Sequence, residues 1–206
     1  MKKILTMALA AALLCTAPLT LAACGQGGGT DEGTSAETLT GQFATMADIL
    51  TADTSSMAST CDEEHYVCAF ELDGTWWRVE AELEEGMYDE LMDVWVEDQA
   101  KVEELISPLA VTKAEELEPL DAESLEALAG KTGADLAADG FVFMEGAMVV
   151  NGEETDCVAN LGDFDYLVTF EGAVADENAT DVAGVVADMT VSSVSLQSVS
   201  FNAIMG

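Results

Sequence analysis

Positive charge is nearly missing from this chain: six lysines and arginines and one histidine stand against forty aspartates and glutamates in 206 residues. After Lys3 the only lysines and arginines are Arg78, Lys101, Lys113 and Lys131. A surface so acidic repels nucleic acid and anionic lipid headgroups, which excludes both as partners. Cations, basic proteins and neutral glycans remain, beside the simpler role of solubility in a salty or acidic habitat. Half the residues are hydrophobic, so the acidity does not imply disorder. Catalytic signatures are also missing. There is no G-x-S-x-G nucleophile turn, no Gly-rich phosphate loop and no dinucleotide fingerprint. Asp163-Phe164-Asp165 lacks the glycine and terminal glutamate of a calcium loop. No repeat recurs at solenoid spacing, and no cofactor is expected.

The N-terminus carries a definite pattern. Lys2 and Lys3 precede an apolar run from Ile4 to Leu14, too short to span a bilayer. Leu21-Ala22-Ala23-Cys24 follows, with Gly25 behind it. This stretch resembles the lipobox of bacterial membrane lipoproteins. The resemblance implies cleavage before Cys24, lipidation of the Cys24 thiol, and residence on the extracytoplasmic face of the cell membrane. More than one acyl chain on Cys24 would anchor the chain stably in the bilayer. The other reading is an ordinary secretory peptide cut after Ala23. Loss of residues 1–23, which hold two lysines and no acid, leaves 183 residues and takes the formal charge from −34 to −36. That length suits one domain or two small ones and is short for a two-lobed solute-binding protein.

Residues 24–38 read as a flexible tether, its roughly 14 residues after Cys24 reaching about 20 Å on Gly-rich chain statistics. Residues 39–206 read as an extracytoplasmic domain. Leu39, Phe43, Met46, Ile49 and Leu50 predict an amphipathic helix over Glu37 to Thr51, ended by the Ser/Thr-rich stretch to Thr60. Asp73-Gly74 predicts a hairpin of His65 to Leu72 with Thr75 to Leu83. Its register sets Phe70 against Trp77 and Cys68 against Val79 on one face, Glu71 against Trp76 and Ala69 against Arg78 on the other. Helices are expected over Met87 to Val94 and Gln99 to Ser107, then a brief strand at Leu109 to Val111 and an acidic turn from Glu115 to Pro119. Asp121 and Thr132 cap two helices closed by Gly130 and Gly140. Strands should run Phe141 to Val150, Glu153 to Leu161 and Phe164 to Glu171, with turns at Asn151-Gly152 and Gly162-Asp163. A short helix at Asp181 to Ala187 precedes a last strand, Met189 to Phe201, broken near Gln197-Ser198. The fold class is α+β: an antiparallel sheet, hairpin plus meander, with helices packed on one face.

A helix pair followed by a meander resembles the repeating unit of small envelope proteins such as the β-lactamase-inhibitor and outer-membrane-assembly lipoprotein folds. Tyr66 to Leu83, Ser107-Pro108-Leu109 and Gly130-Lys131-Thr132-Gly133 resemble segments of uncharacterised lipoproteins from Gram-positive anaerobes. Neither resemblance implies an activity.

Chemistry has few places to reside. Cys61, His65 and Cys68 lie within eight residues, and with Cys157 they would make a Cys₃His zinc set, though without the tight C-x₂-C knuckle. His65 is the only base for nucleophilic catalysis, with Glu82 opposite it to orient it. Outside the cytoplasm a disulfide competes for the thiols, and Cys61–Cys68 is the expected pair, with Cys157 as a free core thiol. That pair requires Asp62-Glu63-Glu64 to turn the chain back, because an extended segment would hold the two Cα atoms about 20 Å apart. Trp76, beside Arg78 on the face away from Trp77, is the candidate contact residue if exposed; a helix or the N-terminal segment over it would bury it. The leading expectation is a membrane-anchored, non-enzymatic binding or interaction module for an envelope protein or glycan. The alternative is a small extracytoplasmic enzyme or metal protein built on Cys61, His65 and Cys68.

Overall fold

A computed structural model describes residues 43–205. Cys24, the tether and the part of the first expected helix before Phe43 lie outside the described residues.

Asp73 and Gly74 both take positive φ, 53° and 82°, the type I′ geometry whose twist suits a two-residue hairpin. They join β2 (His65–Leu72) to β3 (Thr75–Glu82) in the expected register. β1 (Ser55–Cys61) and β4 (Val111–Leu117) flank this hairpin, giving an antiparallel sheet of order β1-β2-β3-β4. Both flanking strands differ from expectation. β1 occupies the Ser/Thr-rich stretch expected only to end the first helix; at the edge of the sheet it bonds β2 alone among the described strands and can be built of small polar residues. β4 continues through Glu115 and Glu116, expected as a turn, because Arg78 and Trp77 sit opposite them.

The second sheet contains β5 (Val142–Asn151), β6 (Glu154–Leu161), β7 (Phe164–Glu171) and β8 (Val191–Val199), again in sequence order. Leu161 faces Phe164, Ala159 faces Tyr166 and Cys157 faces Val168, as the alternation predicts. The break near Gln197 is a bulge: Ser198 pairs with Asp165 and Leu196 with Tyr166, which leaves Gln197 over. A larger bulge interrupts β5, where Met144 to Ala147 stand between the pairs Phe143–Ala159 and Met148–Cys157. Gly146, at φ 69°, supplies the left-handed turn that this bulge needs.

The helices are α1 (Met46–Leu50), α2 (Met87–Val94), α3 (Gln99–Ile106), α4 (Ala122–Glu126), α5 (Gly133–Ala138), α6 (Val182–Val186) and α7 (Phe201–Met205). α7 begins where the last strand was expected to end. Asp121 caps α4 by accepting the Ser124 N–H at 2.7 Å, and Thr132 with Asp135 forms a capping box on α5. Backbone N–H donors hold the Asp48, Asp121 and Asp135 carboxyls below their ordinary pKa. Their stabilisation is present above the unfolded-state value and is lost as pH falls through the depressed folded one.

Packing makes the two sheets unequal. Tyr66, Cys68, Phe70, Trp77 and Val79 turn one face of the first sheet onto α1, α2 and α3, meeting Met46, Ile49, Leu91, Val102 and Ile106. Val67, Ala69, Trp76 and Leu117 turn the opposite face into a second cluster shared with the other sheet. The inward face of the second sheet (Cys157, Ala159, Phe164, Tyr166, Val168, Phe170) joins that cluster, together with Leu136, Val182, Val186 and Ile204 of α5, α6 and α7. The fold is therefore mixed α/β with two antiparallel sheets, where a single sheet was expected. The helices are not confined to one face: three cover the first sheet, and the others fill the cluster between the sheets. The two halves also share a plan, a three-strand meander, a helical insertion and a fourth strand returning beside the third.

Candidate functional site

The strands separate the residues that the sequence placed together. Asp62 Oδ1 accepts the backbone N–H groups of Glu64 and His65 at 2.8 and 2.7 Å, so the chain does turn back between β1 and β2. The register that results sets Cys61 against Tyr66 and Ser59 against Cys68. The two thiols thus lie on adjacent strands but diagonally, and the expected Cys61–Cys68 bridge is not formed: Cys61, Cys68 and Cys157 are all free. His65 belongs to the opposite face from Cys68, with Nδ1 3.6 Å from Asp62 Oδ1. Among the described residues no group of three or more His, Cys, Asp and Glu side chains is arranged to hold a metal ion.

Burial governs the thiols. It pushes Cys61 up to about 11, with the Asp62 charge adding to the effect, and Cys68 up to about 12. Cys157 rises to about 11 from burial and the Asp156 charge. Thiolate is the reactive form, so alkylation of the native protein at pH 8 should be at least about a hundredfold slower than for an unperturbed thiol. In a time course followed by mass spectrometry, Cys61 reacts slowly, and Cys68 and Cys157 only after denaturation. Rapid native labelling of Cys68 would contradict this packing.

Trp76 is covered: of the two alternatives left by the sequence, burial holds, and Trp76 is not an open contact residue. Only 6 % of its surface is accessible, and its ring meets Phe164 edge-on with centroids 5.4 Å apart. Phe164, the first residue of β7, supplies part of the cover, and the cluster around it also holds Ala203 and Ile204 of α7. An open cleft of about 500 Å³ lies along Gly74, Thr75 and the Trp76 edge, bordered by Glu116, Glu118 and Asp121. Arg78 is held as well. Its Nη1 donates to Glu80 and lies 3.8 Å from Glu115, and Lys113 Nζ sits 3.3 Å from each of those carboxylates. Burial opposes ionisation of Glu80, but the bonds and charges of Arg78 and Lys113 outweigh it and keep the carboxyl below its usual value. Arg78 is thereby committed within the fold rather than offered as a contact.

No family model, curated protein or solved structure matches this chain.

The surface that remains open is the outer face of the second sheet. From Thr155 to Asn160 and from Phe164 to Phe170, β6 and β7 alternate between buried and half-buried positions, with helices and the first sheet on the buried side. The uncovered side carries four rows: Glu154 opposite Glu171, Asp156 opposite Thr169, Val158 opposite Leu167, and Asn160 opposite Asp165. On β5 it continues with Val149 beside Asp156 and Val142 beside Asn160, 53 % and 64 % exposed. Asp156 accepts from Asn151 Nδ2 at 2.6 Å and Thr169 Oγ1 at 2.7 Å, and Asp165 accepts from Asn160 Nδ2 at 3.2 Å. Burial raises the Asp165 pKa against that one amide donor. The apolar half of this alternation is what predicts the strands, and its polar half lines the open face. A further signal was present: from Thr132 to Gly206 there is no Lys, Arg or His.

Proposed function

We propose that this chain is a membrane-anchored, non-enzymatic binding module, with residues 39–206 displayed on the extracytoplasmic face and tethered through residues 24–38 to a lipidated Cys24. The observation that carries the reading is Leu21-Ala22-Ala23-Cys24 behind a positively charged start and a short apolar run. Two features of the domain support a binding role over catalysis. His65 stands apart from thiols whose burial holds them protonated, and among the described residues one sheet face is left without cover. The partner class is an envelope protein or glycan, because the charge on the domain disfavours nucleic acid and anionic lipid.

Inhibition of the lipoprotein signal peptidase should make the precursor accumulate, and Cys24→Ala should release the protein from membranes or block its maturation. Fractionation with mass spectrometry of the mature N-terminus reads both results. A Cys24→Ala chain that is processed and membrane-bound like the wild type would sink the reading.

A further inference from the structure

The open face of the second sheet combines three properties. Its middle is apolar: the half-buried Val158–Leu167 row, extended by exposed Val142 and Val149 on β5. Its margins are acidic without relief. Glu154 and Glu171 sit directly opposite each other, a like-charge pair that works against folding. Among the described residues no cation compensates them there: β5 to β8 contain none, and Arg78, Lys101, Lys113 and Lys131 are each engaged by a carboxylate elsewhere. The face also lacks aromatic rings, since Phe143, Phe164, Tyr166 and Phe170 all pack into the cluster on the other side.

These properties choose among occupants. A sugar ring would find no aromatic platform. A second copy of the chain would bring Asp156 and Asp165 against their own kind. Anionic polymers and headgroups are repelled. A polypeptide segment with apolar side chains and flanking lysines or arginines satisfies both halves of the surface. The bulge at Met144 to Ala147 borders the apolar row, as bulges beside functional surfaces do.

We propose that the outer face of the second sheet docks a basic, apolar polypeptide segment of a partner protein, its apolar side chains on Val142, Val149, Val158 and Leu167 and its cationic ones on Asp156 and Asp165. The proposal deepens the binding-module reading and rests on it. A cation placed there would also lower the raised Asp165 pKa, a change that titration can follow.

The test uses the full chain in neutral detergent and an extended synthetic peptide alternating valine and lysine. Binding is measured by calorimetry, and its footprint by amide hydrogen exchange. The peptide should protect β5 to β7 and weaken with added salt, while a valine–glutamate peptide should not bind. Val142→Ser with Val149→Ser, and separately Asp156→Asn with Asp165→Asn, should each weaken binding about tenfold or more, and Val96→Ser on the helical side should not. Equal affinity in all variants, a footprint on another face, or binding of the valine–glutamate peptide would overturn the proposal. So would self-association of the full chain that the paired valine variant abolishes, which would give the face to a second copy. None of these readouts depends on acylation of Cys24, so failure here leaves the anchor standing, and failure of the anchor leaves this surface standing.

Discussion

Trp76→Ala is expected to destabilise the protein about as much as Trp77→Ala, roughly 3–5 kcal/mol each, as for large aromatic truncations in packed interiors. The two side chains are neighbours in sequence and point to opposite faces of β3. Trp77, 1 % exposed, fills the cluster under α1, α2 and α3, and Trp76 fills the cluster between the sheets. Each truncation therefore opens a separate cavity, one losing contacts to the helices and the other losing the edge-on contact to Phe164. Trp76→Phe should recover part of the loss, since a ring at that position can still meet Phe164. Denaturant titrations of the three variants decide the matter. A Trp76→Ala loss below about 1 kcal/mol would mean that the second sheet does not cover this face.

Gly133→Ala should destabilise even though Gly133 opens α5 and alanine is the better helix former by about 1 kcal/mol. The reason is space. A Cβ there would lie 2.2 Å from the carbonyl oxygen of Val186 and 2.8 Å from its carbon, both backbone atoms. The segment cannot easily retreat. Gly133 and Ala134 donate their N–H groups to Met189 and Ala187 at 3.2 and 3.0 Å, and Val191 donates to Lys131 at 2.8 Å. Forcing a methyl group into this seam costs about 1–3 kcal/mol as overpacking, and the broken bonds add to it. The sign of the change is diagnostic. Stabilisation of the variant in thermal and denaturant melts would show that α5 and the α6–β8 connection are not in contact.

The parts of the fold that were legible in the sequence are those written locally. Asp73-Gly74 and the alternation on either side of it specify the β2–β3 register pair by pair. Thr132 and Asp135 announce the start of α5, and Gln197 marks its own bulge because the alternation slips by one residue there. What was not legible depends on partners distant in the chain. Ser55–Cys61 has no apolar alternation, and only its pairing with β2 makes it a strand. The division into two sheets was hidden because turn signals report which strands are joined, not which hairpins remain apart. Trp76 was ambiguous for a related reason. Alternation assigns it a face but does not say what covers that face, and the buried run Tyr66-Val67-Cys68-Ala69-Phe70 was the sign that both faces of this sheet are occupied. The thiol pairing failed on register alone: the turn at Asp62 formed, and its geometry placed Cys61 beside Tyr66. The open face was half visible, as the polar positions of β6 and β7.

Cover on both faces of the first sheet has a consequence for the chain before it folds. Tyr66 to Phe70 is five consecutive residues without a charge, rich in β-formers, and Trp76-Trp77 follows within one hairpin. Such segments seed intermolecular cross-β pairing whenever they stand bare. This one is fenced by Asp62-Glu63-Glu64 on one side and by Glu71 and Asp73 on the other, so two unfolded copies that align these runs also bring their fences into mutual repulsion. The acidity that keeps the folded surface apart from other anions thus also guards the nascent chain against itself.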